Sequence, residues 1–513
     1  MPDSIVNEIH APLISKHLQL HFLETLALTL DPTFKIHEAL SPLEIPLLDQ
    51  KHHSVDFTVF NEFVRSALIR DDPLGGRGVA ADMEIQLDRL IREIMLGIWV
   101  FPDTSARKYC FEFPTIKGGK YLVRSTYYYG GFDGRKEPPV FDQIVQGTKW
   151  GIVNTTEDYA KGLGSYYEIV LLSMSKILSV CLARNKQTTS SPFISALEVE
   201  YLDDSIYNST DFSNYALIAL ARHSFGTEGT IIGFPDDQFN RFWQPFKDQN
   251  TVAESRSPVI SSDFWNFPPK KAFTTGITTS RGKTLNIQWP PMSLPSTKYY
   301  IALYFQDSRA PSSHSWRVFT ISVNGKLFYQ DLNVTTKGVT VYASGWPLSG
   351  QTEIVFIPTD VTAVGPIVNA GEIFQILPLS GRTLTRDVMI MEDLARTFDN
   401  PPSDWSGDPC LPRENSWTGV TCSQEKMARV IALNLTNMGI SGSLPSSIGN
   451  LTALTHLWLG ENKLSGSIPD LSMLKDLQTL HLDNNQLQGS IPKSLGQLRV
   501  LHEMVSPGNH LSS

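Results

Sequence analysis

The chain reads Val430-Ile-Ala-Leu-Asn-Leu-Thr-Asn-Met-Gly-Ile-Ser-Gly-Ser-Leu-Pro445, and closely similar text follows it twice. One apolar position of this pattern recurs at spacings of 24 and then 23 residues, as Leu433, Leu457 and Leu480. Another apolar position, a glycine and a proline recur with it, at Ile440, Leu464 and Leu487, at Gly442, Gly466 and Gly489, and at Pro445, Pro469 and Pro492. A fixed period of this length indicates a repeat architecture, in which each unit buries its apolar face by stacking on its neighbours.

The period, the L-x-x-L-x-x-L-x-L pattern and the S-G-x-x-P tail are those of a leucine-rich repeat. Each unit places a short strand on the concave face, with Leu457 and Leu459 predicted to point inward. The neighbouring positions then point outward and form a ladder suited to binding, with His456, Trp458, His481 and Asp483 as candidate contacts. The alternative is a solvated face with one stray tryptophan. Only three full repeats and a fragment are present.

Composition narrows the class of protein. The chain has 513 residues, of which 41% are hydrophobic and 19% charged, so it reads as a globular chain of three or four domains. A net charge of −9 argues against a general nucleic-acid binder. The longest apolar run, residues 169–183, is too short for a membrane helix and contains Lys176, so no transmembrane helix is predicted. Charged and histidine residues interrupt the first 30 residues, which therefore do not read as a signal peptide.

The four cysteines suggest disulfides rather than a metal site, because neither a CxxC motif nor a Cys/His cluster occurs. Cys410 and Cys422 lie directly before the first repeat, where a disulfide would close a short loop and contribute roughly 3 kcal/mol. The alternative is two free buried thiols. Cys110 and Cys181 would form the second pair. Five N-x-S/T sequons beside paired cysteines favour a secretory origin and predict glycosylation at Asn154, Asn208, Asn333, Asn434 and Asn450.

The region before the repeats changes pattern along the chain. Residues 82–96 place apolar side chains at helical spacing and predict an amphipathic helix. From about residue 100, apolar and polar residues alternate, as over Tyr121–Tyr129, which predicts strands of β-sandwiches. Val323-Asn-Gly-Lys326 between apolar runs is a strong hairpin signal.

An internal duplication divides this β-rich region. Pro192-Phe-Ile-Ser-Ala-Leu-Glu-Val199 matches Pro366-Ile-Val-Asn-Ala-Gly-Glu-Ile373 at a separation of 174 residues. The strand at Tyr121–Tyr129 has its counterpart at Tyr299–Phe305. Two tandem β-modules are therefore predicted, although residues 1–95 do not resemble the first half of the second module.

These stretches resemble the malectin-like ectodomain of plant leucine-rich-repeat receptor-like kinases. The matching text includes Tyr121-Leu-Val-Arg-Ser-Thr-Tyr-Tyr-Tyr-Gly-Gly-Phe-Asp133, Asp263-Phe-Trp-Asn-Phe-Pro-Pro269, and Trp405-Ser-Gly-Asp-Pro-Cys410 before the repeats. The resemblance implies tandem sandwiches related to a disaccharide-binding lectin of the endoplasmic reticulum. It also implies a signalling glycoprotein at the plasma membrane, with a membrane helix and a cytoplasmic Ser/Thr kinase after the repeats.

The chain departs from that family at both ends. The opening half-module and signal peptide are replaced by unrelated text, and neither a membrane helix nor the kinase motifs V-A-I-K, H-R-D-L-x-x-x-N and D-F-G occur. The predicted fold class is mainly β, with tandem malectin-like sandwiches, a short leucine-rich-repeat solenoid and an irregular or helical start. The predicted order is an atypical segment (1–96), a partial first module (97–204), a second module (205–380), a linker (381–409), a disulfide-capped N-terminal cap (410–429) and the repeats (430–513).

Carbohydrate sites combine aromatic faces with a few polar groups, and the strand end at Tyr127, Tyr129, Phe132 and Asp133 offers that mix. The alternative is that these tyrosines are core and the loop is a turn. Catalysis is not expected, because the paired acids Asp203-Asp204 and Asp236-Asp237 point apart on an extended chain rather than facing one another. No cofactor is predicted.

The sequence therefore predicts a non-catalytic extracellular recognition module that binds a cell-wall glycan or a peptide, with a receptor kinase as a candidate co-receptor. Two alternatives stay open. One is a ligand-free scaffold that pairs with other receptors, and the other is a non-functional truncated product of a receptor kinase gene.

Overall fold

The computed structural model describes residues 99–101, 106–256, 264–360, 362 and 364–512. All of these residues belong to one compact unit. They are mainly β-structure, which confirms the predicted fold class. The amphipathic helix predicted over residues 82–96 lies outside the described residues.

Residues 99–101 and 106–204 form short strands, and the strand Lys120–Tyr127 is buried along its whole length, so both of its faces are covered. In chain order the strands are β1 (Trp99–Val100), β2 (Tyr109–Pro114), β3 (Lys120–Tyr127), β4 (Phe141–Val145), β5 (Thr148–Val153), β6 (Ser165–Leu172), β7 (Ile177–Ala183), β8 (Phe193–Ile194) and β9 (Ala196–Leu202). A single turn of helix, α1 (Thr156–Ala160), precedes β6.

Twelve further strands lie within the described part of residues 205–380. The strands are β10 (Tyr215–Phe225), β11 (Gln244–Phe246), β12 (Thr251–Glu254), β13 (Thr275–Thr278), β14 (Leu285–Gln288), β15 (Leu294–Phe305), β16 (Trp316–Val323), β17 (Lys326–Thr335), β18 (Val339–Gly350), β19 (Glu353–Pro358), β20 (Ile367–Val368) and β21 (Ala370–Pro378). Asn324 and Gly325 join β16 to β17 with positive φ angles of 48° and 72°, which confirms the predicted hairpin.

One large sheet runs through both regions, in the order β18-β15-β21-β10-β6-β3-β9, with β11 beside β10. Strand β10 pairs with β21 on one side and with β6 on the other, so the two regions are joined by backbone hydrogen bonds. A smaller sheet, β2-β7-β4-β5, packs on the first half, where Tyr127 meets Phe141. Another, β14-β19-β16-β17, packs on the second half, where Phe305 meets Phe319. The result is two sandwiches that share a sheet.

The strand register confirms the internal duplication. Arg124 of β3 lies opposite Glu198 of β9, and Ala302 of β15 lies opposite Glu372 of β21. The pairs β3–β9 and β15–β21 are therefore equivalent. Within the described residues, β9 is the outer strand of the sheet, whereas its counterpart β21 is paired on both sides.

The remaining residues form a linker helix and the solenoid. The helix is α2 (Thr385–Thr397). The strands are β22 (Arg382–Thr383), β23 (Val420–Cys422), β24 (Met427–Ala428), β25 (Val430–Asn434), β26 (Ser441–Ser443), β27 (His456–Trp458), β28 (Lys463–Gly466), β29 (Thr479–His481), β30 (Gln486–Ser490), β31 (Glu503–Val505) and β32 (His510–Ser512). Parallel ladders β25-β27-β29-β31 and β26-β28-β30-β32 line the two faces.

The repeat leucines point inward, as predicted. Leu433, Leu457 and Leu480 lie in register and are at most 1% exposed. Between the ladders, one asparagine side chain in each repeat donates a hydrogen bond to a backbone carbonyl oxygen of the preceding repeat. The Nδ2 atom of Asn462 donates to the Leu435 carbonyl oxygen at 2.8 Å, and Asn485 repeats this contact one turn later. These amides satisfy backbone groups that the turn would otherwise bury unpaired.

Candidate functional site

The concave face of the repeats presents a compact aromatic group, which we call the repeat face and define as His456, Trp458, Thr479, His481 and Asp483. Strand pairing places His456 beside Thr479 and Trp458 beside His481. The rings of His456 and Trp458 stack with centroids 5.1 Å apart, and the Trp458 and His481 rings lie 6.1 Å apart. The structure therefore brings together the candidates chosen from the sequence, and it adds Thr479.

The Thr479 hydroxyl fixes the two stacked rings. It accepts a hydrogen bond from Trp458 Nε1 at 2.8 Å and lies 2.9 Å from His456 Nδ1. A hydroxyl can donate to an unprotonated Nδ1 or accept from Nδ1–H, so this contact fits either tautomer of His456. The tryptophan N–H is thus used internally, and the indole offers a partner its π face rather than its donor.

Acidic groups flank the repeat face. His481 Nε2 lies 3.1 Å from Glu503 Oε1. The Asp483 carboxylate lies over the backbone of Gly460, where a Cβ atom would be only 2.5 Å from Asp483 Oδ1. Glycine at position 460 therefore leaves the space that this carboxylate occupies.

The aromatic loop after β3 is organised differently. Tyr127 and Tyr129 are at most 1% exposed. The Tyr127 hydroxyl donates to Gln143 Oε1 at 3.1 Å, and the Tyr129 hydroxyl donates to Asp133 Oδ1. The structure thus places both tyrosines in the core of the first sandwich, where their rings cannot stack on a sugar.

Phe132 and Asp133 are only partly buried, but both have internal partners. The Phe132 ring packs on Phe193 with centroids 5.5 Å apart. Asp133 accepts from Tyr129, from Ser190 and from the backbone N–H of Arg135. Although burial alone would raise it, these hydrogen bonds lower the pKa of Asp133 and keep it ionised. The Asp133 carboxylate therefore stabilises the loop after β3 through these three hydrogen bonds.

A tight joint connects the first sandwich to the cap of the repeats. Asp408 accepts hydrogen bonds from the backbone N–H groups of Cys410 and Leu411, at 2.8 and 2.9 Å. Gly407 donates to Glu112 Oε1 at 2.9 Å and packs against the Cys110–Cys181 disulfide. The second disulfide, Cys410–Cys422, closes the cap itself. The segment Gly407-Asp-Pro-Cys410 (G-D-P-C) thus forms a folded connector between the first sandwich and the cap.

Lys108 is buried in this joint. Its Nζ donates to the Leu411 carbonyl oxygen at 3.0 Å and to the carbonyl oxygen of Asp408. Burial lowers the Lys108 pKa to about 8, although Asp408, Asp404 and Glu112 oppose that shift. No local pattern in the sequence predicts this contact, because 303 residues separate Lys108 from Leu411.

A buried network of charges lies on the shared sheet, and sequence reasoning also missed it. Glu168 pairs with Arg124 at 2.6 Å and with Arg222 at 2.5 Å, and Arg222 pairs with Glu372 at 2.7 Å. Burial raises the Glu168 pKa, but both guanidiniums hold it below its usual range. Since Glu168 is held ionised and both acids pair with buried guanidiniums, the network is structural.

The predicted glycosylation positions are all exposed, namely Asn154, Asn208, Asn333, Asn434 and Asn450. Among the described residues, no group of three or more His, Cys, Asp or Glu side chains could hold a metal ion. In the same part of the chain, no helix has the length and apolar content that crossing a membrane requires.

The chain is similar to curated plant proteins. A probable LRR receptor-like serine/threonine-protein kinase of Arabidopsis thaliana, At5g59680, is 30% identical over 367 residues, which cover 70% of this chain and 40% of the relative. A second Arabidopsis thaliana kinase of the same description, At1g67720, is 30% identical over 74% of this chain and 42% of its own length. The chain therefore spans about two fifths of the length of these curated relatives.

Solved structures with partial similarity include plant ectodomains. A crystal structure of the plant peptide RALF23 in complex with FER and LLG2 is 17% identical and covers 54% of this chain and 82% of that chain, with a TM-score of 0.44. The ANX2 ectodomain from Arabidopsis thaliana is 15% identical and covers 54% of this chain and 83% of that chain, also with a TM-score of 0.44.

Family models match both parts of the chain. The model for leucine-rich repeats, in two copies, matches residues 452–495. The model for the malectin-like domain matches residues 68–376, which is more than half of the chain. With its shared-sheet sandwiches followed by leucine-rich repeats, this chain belongs to the malectin-like domain family, in the form found in plant leucine-rich-repeat receptor-like kinases.

Proposed function

We propose that this chain is a non-catalytic extracellular recognition module of the receptor-kinase type, and that its repeat face binds a peptide ligand. The observation that carries the proposal is the fixed Trp458 ring, half-buried between His456 and His481 and held by the Thr479 hydroxyl at 2.8 Å. Binding energy concentrates at aromatic anchors that are held rigidly, since little side-chain entropy is lost when a partner covers them.

The sandwiches support this role by fixing the solenoid in place. The first sandwich and the cap share buried contacts, including the bond from Asn415 Nδ2 to the Arg107 carbonyl oxygen at 3.2 Å. A short solenoid exposes one open side at its first repeat, and the cap covers that side. The recognition surface therefore includes both the cap and the repeats.

A peptide fits the contacts better than a glycan at the loop after β3. Both tyrosines of that loop are core residues, and Asp133 already accepts three hydrogen bonds. The repeat face, by contrast, offers a ring face, an imidazole N–H and a carboxylate along strands about 4.8 Å apart, which suits an extended backbone. Pairing with a receptor kinase as co-receptor is part of the same proposal.

The test is selection of a phage-displayed random peptide library on the secreted full chain, followed by affinity measurement. We expect Trp458→Ala to weaken the selected peptides by at least tenfold, as loss of a central aromatic anchor does. Tyr329→Ala is the matched control, since Tyr329 is 45% exposed on β17, away from the repeats. Unchanged affinity in Trp458→Ala, or capture of ligands by a glycan array alone, would refute the proposal.

A further inference from the structure

A pocket of about 360 Å³ opens where the first sandwich meets the repeats, and we call it the joint pocket. Arg107 reaches it from the sandwich, and Arg413, Ser416 and Thr421 come from the cap. Asn434 of the first repeat completes the wall, beside the Cys410–Cys422 disulfide. Three parts of the chain thus converge on one cavity.

Among the described residues that line it, the joint pocket has two guanidinium groups and no carboxylate. Arg107 Nη1 lies 3.3 Å from Ser416 Oγ, and Arg413 Nη2 donates to the Glu425 backbone carbonyl oxygen at 2.9 Å. In the part of the chain that the structure describes, no aspartate or glutamate lines the cavity. Because an arginine side chain has five N–H donors and stays charged at every relevant pH, these contacts leave donors and positive charge unused.

This arrangement differs from that of three buried arginines. Arg124, Arg222 and Arg241 each form an ion pair with a buried carboxylate, at 2.6, 2.5 and 2.9 Å. In a chain with a net charge of −9, carboxylates are abundant, yet none lines this cavity. Two guanidiniums in a concave site without a carboxylate in its described lining are suited to an anionic group, above all to a carboxylate bound through paired N–H donors.

The joint pocket is continuous with the repeat face. Asn434 lies directly beside Trp458 in the parallel ladder, so neighbouring strands about 4.8 Å apart connect the two sites. A ligand that stacks on Trp458 therefore has the pocket wall at Asn434 on the neighbouring strand. We propose that the joint pocket binds a carboxylate of an acidic peptide, whose adjoining residues lie on the repeat face.

This inference rests on the proposed function and specifies the ligand further. It also involves the sequon Asn434-Leu-Thr436, because Asn434 lines the pocket. A glycan at Asn434 would share the mouth of the cavity. Thr436→Ala removes the sequon but keeps the asparagine, so it separates the pocket from its modification.

The experiment measures binding of a fluorescently labelled tetra-aspartate peptide to the full chain by anisotropy, with the tetra-asparagine peptide as the neutral probe. We expect the acidic probe to bind to the wild type or to Thr436→Ala at least tenfold more tightly than the neutral probe. Arg107→Gln and Arg413→Gln are each made in whichever of these two proteins binds the acidic probe. Each substitution should weaken the affinity for the acidic probe by at least fivefold. Arg499→Gln is the control, since Arg499 is exposed on the solenoid outside the pocket.

Each outcome decides the question. Equal binding of both probes, absence of binding even in Thr436→Ala, or affinity unaffected by both pocket arginines would overturn the inference. Binding of polygalacturonate in place of the peptide would also overturn it, in favour of an acidic glycan. A failure of the proposed function alone gives a different result. Binding of the acidic probe would still depend on Arg107 and Arg413, whereas binding of the library peptides would not depend on Trp458.

Discussion

Arg222 and Glu168 form a buried ion pair across the boundary between the two sandwiches, with 2.5 Å between Nη1 and Oε2. Arg222 belongs to β10 and Glu168 to β6, and neither side chain is more than 2% exposed. Backbone pairing of the same two strands joins the halves of the shared sheet. The boundary between the modules is thus a continuous, charged part of the core rather than a flexible linker.

Glu168→Gln should therefore destabilise both sandwiches together. The substitution removes the negative charge that Arg124 and Arg222 share, and breaking a buried pair in this way typically costs about 3–5 kcal/mol. Urea unfolding followed by tryptophan fluorescence measures the loss. Glu228→Gln removes one partner of an exposed pair and should change stability by less than about 1 kcal/mol. Similar effects for the two variants would contradict a structural role for the network.

His223 makes the second sandwich sensitive to acid. Its Nδ1 accepts a hydrogen bond from Trp289 Nε1 at 3.1 Å, and burial lowers the His223 pKa from 6.5 to about 4. Between these values the unfolded chain binds more protons than the folded one, so the free energy of unfolding falls as the pH falls from 6.5 to 4. The loss attributable to His223 should approach about 3 kcal/mol.

Thermal unfolding of the wild type and of His223→Gln across that pH window tests this expectation. His223→Gln keeps an acceptor for Trp289 but cannot take up the proton, so its stability should depend less steeply on pH. His314→Gln, at an exposed position, should retain the steep dependence of the wild type. Parallel curves for the wild type and His223→Gln would show that this histidine is not the sensitive group.

The repeats and the strand-rich region could be predicted from the sequence because both depend on local periodicity. Leu433, Leu457 and Leu480 recur at the repeat spacing, and Asn324-Gly325 specifies a tight turn by itself. Such signals lie within a few residues or at a constant interval. They identify the elements of the fold but not which strands become neighbours.

The joint and the ion-pair network depend on distant pairing, which periodicity does not reveal. Asn415 bonds the backbone of Arg107 across 308 residues, and Arg222 bonds Glu168 across 54. The aromatic loop shows a related limit. The alternation predicts that Tyr127 lies on one face of β3. The position belongs to the core rather than the surface because the sheet that supplies Gln143 packs on that face. Arg124 and Arg222 are the residues that indicate the network, because charged residues within buried strands require buried partners.

Lys108 should make the joint more stable as the pH rises. Burial lowers its pKa from 10.5 to about 8, so between these values the unfolded chain binds more protons and the free energy of unfolding increases with pH. The gain should reach at most about 3 kcal/mol. Unfolding of the wild type and of Lys108→Met, measured between pH 7.5 and 9.5, tests this, and the wild-type increase should disappear in the variant. An equal increase in both proteins would assign it to other groups.

Gly407 should be the most sensitive position of the joint, because two independent constraints require a residue without a Cβ atom. Its φ angle is +65°, and a Cβ atom would lie 2.8 Å from Cys110 Sγ and 3.1 Å from Cys181 Sγ. Gly407→Ala should therefore combine about 1 kcal/mol of backbone strain with about 1–3 kcal/mol from the steric conflict. Gly325→Ala is the matched control, since its φ is +72° but no atom lies within 4 Å of the added Cβ. Denaturant unfolding should show a larger loss for Gly407→Ala, together with faster proteolytic cleavage near the G-D-P-C connector. Equal losses would mean that the cap does not pack tightly on the Cys110–Cys181 disulfide.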